Sequence, residues 1–262
     1  MIPRKDIEEW TEFYPWKQPE KVEQDLIICR ALCALYSDEY LAEHLAFRGG
    51  TTLNKIYLHP QPRYSEDIDL VQINAEPIKE TMDKIRNVLS FLGKPKIKQK
   101  ERNNTFIYRF NSEVPPIVPL RLKVEINCRE HFNVLGFVKH DFSIESSWFS
   151  SKCKVTTYYL EELLGTKLRA LYQRRKGRDL FDLYKALTTQ KIDIEKVIRS
   201  YRKYMSFVTD NLPSQQEYMQ NMELKMRDDE FLGDITALLR PDEKYEPQTA
   251  WNLIKTSLIE KL

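Results

Sequence analysis

The sequence holds two neighbouring segments whose residues suit a phosphate-binding site, FRGGTTLNK at residues 47–55 and RYSEDID at residues 63–69. Gly49 and Gly50 allow a backbone turn to come close to a ligand, because glycine has no Cβ atom and tolerates conformations that other residues avoid. Thr51 or Thr52 can then cap a helix whose first amides face that ligand. The first segment therefore predicts an anion site.

The second segment places two carboxylates close together. Asp67 and Asp69 begin an aliphatic run that extends to Ile73 and is typical of a strand. Residues two apart on a strand point to the same face, so these carboxylates project together while Ile68 and Leu70 point into the core. Two such carboxylates repel each other unless a cation lies between them, and hard oxygen ligands suit Mg²⁺ or Mn²⁺. Asp67 and Asp69 are thus candidate metal ligands and catalytic residues.

A third carboxylate is offered by the segment LKVEIN at residues 122–127. Lys123, Glu125 and Asn127 share one face of this predicted strand, and the aliphatic residues between them share the other. If the strand neighbours the one that carries the Asp-x-Asp pair, three carboxylates converge. That constellation is the one needed for two-metal phosphoryl transfer, so Glu125 is the predicted third metal ligand.

Each of these features has a plainer explanation when taken alone. A glycine pair is usually only a turn, an Asp-x-Asp at the start of a strand is usually a surface or capping feature, and a single glutamate on a strand is usually solvated. Their order along the chain favours a site: a turn suited to phosphate leads into a strand with paired acids, and a later strand supplies the third.

Hydrophobic periodicity around these segments predicts an α+β fold with a mixed sheet. Strand patterns give way to helical spacing beyond Tyr158, so we predict a core over residues 1–150 and a helical domain over residues 151–262. The predicted helices of the core span residues 19–45, as one helix or two, and residues 77–93, and its predicted strands span residues 67–73, 105–111 and 118–127.

The composition is ordinary for a globular enzyme. The 262 residues are 42% hydrophobic and 31% charged, and the formal charge of +2 is too small to indicate a nucleic-acid binder by itself. The N-terminal stretch lacks the apolar core of a signal peptide and no stretch is apolar enough for a membrane span, which predicts a soluble cytoplasmic protein without a membrane partner. The four cysteines lack zinc-ligand spacing, so we expect reduced thiols.

The predicted helical domain contributes further candidates. Lys167 lies at the edge of an apolar stripe, where its amine either extends to solvent or points at an anion. Asp179 and Asp182 share one helical face. The basic residues between Arg174 and Arg178 form a solvated face or a place for RNA phosphates to dock.

Together, these residues resemble the motif series of the abortive-infection nucleotidyltransferase toxins, the AbiEii/AbiGii family. The resemblance covers roughly residues 45 to 185. Its Gly-Gly-Thr and Asp-Ile-Asp elements are specific, although the related polymerase-β-like enzymes more commonly place Gly-Ser close before the Asp-x-Asp. The matching segments are Gly49-Gly-Thr-Thr-Leu-x-Lys55, Arg63-x-Ser-x-Asp-Ile-Asp69, Lys123-x-Glu125, Lys167 and Arg178-Asp-x-x-Asp182.

The resemblance implies a DNA-polymerase-β-like nucleotidyltransferase core with a helical C-terminal domain that closes the cleft. It also implies a toxin of a toxin–antitoxin pair, with a cognate antitoxin encoded nearby and, in some members, a tRNA 3′ end as the acceptor of the nucleotide. Lys167 would contact the triphosphate and Asp182 would lie near the nucleotide. The phosphate side would be lined by Gly49, Gly50, Thr51, Arg63 and Ser65.

We therefore expect a magnesium-dependent transfer of NMP from NTP to an acceptor, an RNA 3′ end such as that of tRNA. Two alternatives from the same residues are transfer of NMP to a protein hydroxyl and a non-catalytic module that binds nucleotide or RNA. A metal-dependent phosphodiesterase, which needs no NTP, is a more distant one.

Overall fold

The computed structural model describes residues 2–100 and 102–262, and these residues form two compact units, which we call the sheet unit and the helical unit. The sheet unit comprises the chain up to Ile56, Arg63–Phe132 and Phe137–Tyr158, and the helical unit comprises Tyr57–Pro62, Asn133–Gly136 and Tyr159–Leu262.

Within the described residues, the sheet unit is built on one seven-stranded sheet in the order β3-β4-β5-β2-β1-β7-β6. The pairs β2·β5 and β1·β7 are parallel, and the other neighbours are antiparallel. The mixed sheet expected from the sequence is therefore confirmed. The strands are β1 (Leu45–Arg48), β2 (Asp67–Gln72), β3 (Lys96–Lys100), β4 (Asn103–Asn111), β5 (Pro119–Asn127), β6 (Phe137–Glu145) and β7 (Ser150–Tyr158).

Alternation of apolar and polar side chains fixes the two faces of the central strands. Ile68 and Leu70 of β2 and Val124 and Ile126 of β5 are buried, whereas the polar residues between them are half-buried. Because β2 and β5 are parallel neighbours, their buried residues meet on one face. The polar residues of both strands consequently share the other face.

Helices of the sheet unit supply the rest of its core. The helix α2 is buried along most of its length, and it packs against β5, β6 and β7. Its Cys29 and Cys33 are buried neighbours, as expected, and all four cysteines are free thiols. The helices are α1 (Arg4–Phe13), α2 (Pro19–Tyr36), α3 (Glu39–His44), α4 (Gly49–Thr52), which continues as a π-helix over Leu53–Tyr57, and α5 (Lys79–Val88), which is followed by a 3₁₀ turn over Ser90–Leu92.

The helical unit is built from α6 onward. Its first three helices pack together, with α6 against both α7 and α8. No helix in the described part of the chain combines the length and the apolar character needed to cross a membrane. The helices are α6 (Leu160–Gln173), α7 (Gly177–Thr189), α8 (Ile194–Ser206), α9 (Gln215–Lys225), α10 (Asp229–Gly233) and α11 (Pro247–Ser257), with a 3₁₀ turn over Ile259–Lys261.

The chain changes from one unit to the other at a different residue from the boundary expected near residue 150. Ser150 is the first residue of β7. Because β7 pairs with both β1 and β6, it belongs to the sheet unit. The main segment of the helical unit therefore begins at Tyr159.

Candidate functional site

The first glycine of the glycine pair lies directly against the second aspartate of the Asp-x-Asp pair. Gly49 has a φ of +87°, and a Cβ atom built on it would lie 2.4 Å from Oδ2 of Asp69. Both the positive φ and the close approach require glycine at this position. The turn after β1 thus brings bare backbone next to the Asp69 carboxylate.

The second glycine makes room for an arginine. A Cβ atom on Gly50 would lie 2.5 Å from Nη2 of Arg63 and 3.4 Å from Oγ of Ser65. Arg63 is buried, and its Nη1 donates a hydrogen bond of 2.8 Å to the carbonyl oxygen of Tyr64. The guanidinium and the Ser65 hydroxyl therefore both border the glycine turn.

Thr51 joins this turn to the start of β2. Its hydroxyl lies 2.8 Å from the Ser65 hydroxyl and donates a hydrogen bond to the carbonyl oxygen of Asp67. The prediction that Thr51 or Thr52 caps a helix is wrong, because α4 begins at Gly49 and Arg48 is its N-terminal cap residue. Thr51 instead holds the turn and the strand together from within the first helical turn.

A buried ion pair anchors the far end of the same segment. Lys55 lies in the π-helix that continues α4, and its Nζ is 2.5 Å from Oδ1 of Asp25 on α2. Trp16 donates a further hydrogen bond of 3.3 Å to that oxygen. An unpaired charge at this depth would cost several kcal/mol, so the pair ties the π-helix to the core of the sheet unit.

Asp67 and Asp69 project from the polar face of β2, as predicted. Burial raises the pKa of Asp67 to about 6, the negative charge of Asp69 adds to the rise, and the positive charges of Lys123 and Arg121 act against it. Because the two residues are two apart on β2, their carboxylates lie close together on one face. A cation bound between them would relieve this repulsion.

Glu125 lies on the neighbouring strand, directly across from Asp69 in the parallel register of β2 and β5. The conditional prediction that these two strands are neighbours is confirmed. The carboxylate of Glu125 accepts a hydrogen bond of 2.6 Å from Asn103 and forms an ion pair with Lys123. Burial acts to raise the pKa of Glu125, but these two partners outweigh it and lower the pKa below its usual value.

The three carboxylates do not form a ready-made ligand cluster. Within residues 2–100 and 102–262, no group of three or more His, Cys, Asp or Glu side chains is arranged to hold a metal ion. Glu125 faces Lys123 and Asn103, whereas Asp67 and Asp69 share the side of β2 next to the glycine turn. The metal-ligand set of Asp67, Asp69 and Glu125 therefore stays a prediction.

Arg48 is a site residue to which the sequence reasoning gave no role. It lies across from Asp69 on β1, and it forms an ion pair with the buried Glu130. Burial acts to lower the pKa of Arg48, but the charge of Glu130 outweighs it and keeps the guanidinium positive. The position of Arg48 immediately before Gly49 was the available signal.

Lys167 and Asp182 lie together in the helical unit. The Nζ of Lys167 is 2.9 Å from Oδ1 of Asp179 and 2.8 Å from Oδ2 of Asp182, and both carboxylates are fully buried. Arg174 adds two hydrogen bonds to Asp179, of 2.6 and 2.7 Å. Burial acts to raise the pKa of Asp179, but Lys167 and Arg174 outweigh it and hold the pKa well below its usual value.

The basic cluster near the start of α7 has acidic partners throughout. Arg174 pairs with Asp179, and Arg175 lies 3.3 Å from a carboxylate oxygen of Asp228. The remaining two, Lys176 and Arg178, lie 3.4 and 3.7 Å from oxygens of Asp234.

The sequence matches the family described as "Nucleotidyl transferase AbiEii toxin, Type IV TA system" over residues 30–254. The chain belongs to the AbiEii family. As an AbiEii protein it is a nucleotidyltransferase toxin of a type IV toxin–antitoxin system, a family that generally uses NTP and a divalent metal.

Solved structures share the AbiEii fold. MenT4, a nucleotidyltransferase toxin from Mycobacterium tuberculosis H37Rv, is similar with a TM-score of 0.68 at 16% identity, over 100% of this chain and 91% of that one. JHP933 from Helicobacter pylori is similar with a TM-score of 0.53 at 16% identity, over 93% of this chain and 95% of that one. The predicted nucleotidyltransferase fold is thereby confirmed. A comparison with curated proteins gave no match.

Proposed function

We propose that this AbiEii protein transfers NMP from an NTP to the 3′ end of an RNA such as tRNA, with Mg²⁺ or Mn²⁺ held by Asp67 and Asp69. The observation that carries the proposal is the placement of both aspartates on one face of β2, with the Asp69 carboxylate against the bare backbone of Gly49. In the reaction, the acceptor hydroxyl oxygen bonds to the α-phosphorus and pyrophosphate leaves.

The donor set fits a hard divalent cation. Two carboxylates side by side are ligands that Mg²⁺ prefers, with water and phosphate oxygens completing its shell. The raised pKa of Asp67 arises from burial and from the charge of Asp69, and both causes favour binding of a positive ion. When bound, such an ion would neutralise the two carboxylates and stabilise charge on the triphosphate.

Residues of the glycine turn bind and orient the phosphates in this proposal. Gly49 and Gly50 leave space beside the backbone, and Thr51 and Ser65 hold that backbone through their hydrogen-bonded hydroxyls. Arg63 contributes a positive charge bordering Gly50. The turn thus supplies a rigid wall whose groups need little rearrangement on binding.

For the helical unit we propose that Lys167 contacts the triphosphate and that Asp182 acts through it. Asp182 and Asp179 hold the ammonium of Lys167 in one place. A cation fixed by two buried carboxylates is oriented before substrate arrives. Asp182 is accordingly a positioning residue in this proposal, in addition to its expected place near the nucleotide.

The biological setting is part of the same proposal. The toxin family implies a cognate antitoxin as partner. A cytoplasmic location, where NTP and tRNA both occur, completes the proposal.

The test is incubation of the purified protein with total tRNA, Mg²⁺ and each α-³²P-labelled NTP in turn. We expect label on RNA with the wild type and with Asp141→Ala, a control that removes an exposed aspartate of β6 paired with Lys154. Asp69→Ala should give no label. Label on protein alone would replace the RNA acceptor with a protein hydroxyl, and no label from any NTP would leave a binding module.

A further inference from the structure

The polar face that carries Asp67 and Asp69 continues across the sheet to its β3 edge. Residues paired across neighbouring strands share a face, and the register runs from Asp69 to Glu125, from Glu125 to Thr105, and from Thr105 to Lys98. The hydrogen bond from Asn103 to Glu125 joins β4 to β5 on this same face. The candidate site and the β3 edge therefore lie on one continuous surface.

Exposed basic side chains occupy this surface beyond the aspartates, and one of them, Lys100, is the last residue of β3. Lys96 and Lys98 project from β3, Arg109 from β4 and Arg121 from β5. We call these four residues the basic face. Arg121 is the member on the strand next to β2, two residues before Lys123, which pairs with Asp67.

The two arginines of the basic face are direct cross-strand partners. Arg109 is paired with Arg121 in the antiparallel register of β4 and β5. Like charges in this position destabilise a sheet. An anion bound between them would remove that cost, which favours a phosphate at this place.

Among the residues that the structure describes, the basic face forms no ion pair. No carboxylate there lies within ion-pair distance of Lys96, Lys98, Arg109 or Arg121. Two lysines of β7 at the opposite end of the sheet differ, because Lys152 lies 3.3 Å from Glu145 and Lys154 lies 2.7 Å from Asp141. The basic cluster at the start of α7 also differs from the basic face, because each of its members has an acidic partner.

The spacing and chemistry of the basic face favour a nucleic-acid backbone over a protein. Lys96 and Lys98 are two residues apart on a strand, which separates their side chains by roughly 7 Å along a regular line. The neighbouring positions on this face are Asn103, Thr105 and Ile107, and no aromatic anchor of the kind typical of protein interfaces accompanies them. Positive charge without aromatic anchors is typical of contacts to phosphates.

We propose that the basic face binds the phosphate backbone of the acceptor RNA and guides its 3′ end toward Asp67 and Asp69. This inference rests on the proposed function, because it takes its direction from the site on the same sheet face. The contacts are to phosphates, so binding would depend strongly on salt and weakly on sequence.

The test measures RNA binding without catalysis, by fluorescence anisotropy of labelled tRNA in EDTA and without NTP. Lys96→Gln/Lys98→Gln and Arg109→Gln/Arg121→Gln should each weaken binding about tenfold at physiological salt, and each should reduce the slope of log K against log salt by about 1.5 to 2. The matched control is Lys152→Gln/Lys154→Gln, which removes the same charge from two same-face lysines of β7. The control should bind within twofold of the wild type.

Equal weakening by all three double variants, or by none, would overturn the inference. Loss of antitoxin binding in the two basic-face variants with unchanged RNA binding would also overturn it, in favour of a protein partner. The labelling assay separates the two proposals. If the wild type transfers label to RNA while the basic-face variants bind RNA as tightly as the wild type, only the inference about the basic face is wrong. If the wild type transfers no label from any NTP while the basic-face variants lose RNA binding, only the proposed function is wrong.

Discussion

Oδ2 of Asp69 occupies the space that a side chain at Gly49 would fill, since a Cβ atom there would lie 2.4 Å away. The Asp69 carboxylate can therefore hold its position only because Gly49 has no side chain. This relationship explains physically why Gly-Gly and Asp-x-Asp belong to one motif despite the loop between them. It also makes the geometry of the site testable by very small substitutions.

Gly49→Ala should lower transfer activity by about 100-fold, because a displacement of about 1 Å in a reacting group has an effect of that size. The added methyl group would push the Asp69 carboxylate away, and the left-handed backbone would cost about 1–2 kcal/mol of stability. Activity on labelled NTP and the free energy of unfolding in urea measure the two effects separately.

Gly93→Ala is the matched control for this experiment. Gly93 also has a positive φ, of +79°, but a Cβ atom there would meet nothing within 4 Å. We expect a similar loss of stability with full activity. Equal losses of activity in the two variants would mean that backbone strain, and not contact with Asp69, explains the result.

Glu125→Gln should raise the Mn²⁺ concentration needed for half-saturation about tenfold, either as a lost ligand or as a lost support of the site. Mn²⁺ binding followed by electron paramagnetic resonance measures this independently of activity. Glu145→Gln, which removes a carboxylate from β6 paired with Lys152, is the control. An unchanged Mn²⁺ titration for Glu125→Gln would remove this residue from the metal site.

Lys167→Gln should affect both stability and substrate binding. Loss of its charge leaves the fully buried Asp179 and Asp182 without their shared partner, which should lower the free energy of unfolding by about 3–5 kcal/mol. If Lys167 also contacts the triphosphate, the KM for NTP should rise about tenfold or more. Lys185→Gln, which breaks an ion pair with Glu243 on the same unit, should leave KM unchanged.

A lower free energy of unfolding for Lys167→Gln, with no change in the KM for NTP, would assign Lys167 a purely structural role. Where the glutamine variant does not fold, Lys167→Arg retains the charge and still tests the phosphate contact through KM, because the two cations differ in shape.

Acid should weaken the helical unit through Asp179. Its pKa in the folded state is held below the ordinary value, so its stabilising contribution is fully present above about pH 4 and is lost as the pH falls further. Urea unfolding of the wild type between pH 7 and pH 3 should therefore give a falling free energy at the acid end.

Arg174→Gln should flatten this acid dependence, because it removes one of the two cations that lower the pKa of Asp179. Arg175→Gln is the control, since its guanidinium pairs with Asp228 instead. Parallel pH profiles for wild type and Arg174→Gln would contradict the assigned cause of the shift.

The sequence was informative where apolar and polar residues alternate. The strands around Asp67 and Glu125 were predicted because buried aliphatic residues flank the polar ones on both. The predicted neighbour relation between these two strands depended on a condition that only the tertiary structure could supply. Local pattern determined the elements, whereas pairing between distant segments determined the site.

Other strands were missed for identifiable reasons. β1 has only four residues between a helix and the glycine turn, and β3 has the sequence KIKQK, in which all but one side chain are exposed. The polar first half of β7 likewise lacks a buried face. Neither β3 nor this half of β7 therefore shows the alternation of apolar and polar residues that predicts a strand. The roles of Arg48 and Asn103 also depend on contacts across strands, which no local pattern contains.

The position of β3 at the end of the sheet has a consequence for handling the protein. Within the described chain, β3 pairs on one side only, with β4, and such an edge can recruit another chain by strand addition. Its lysines oppose this, because two approaching edges of like charge repel each other. Replacing Lys96 and Lys98 would therefore favour self-association, so solubility would decide the concentration at which that variant can be studied.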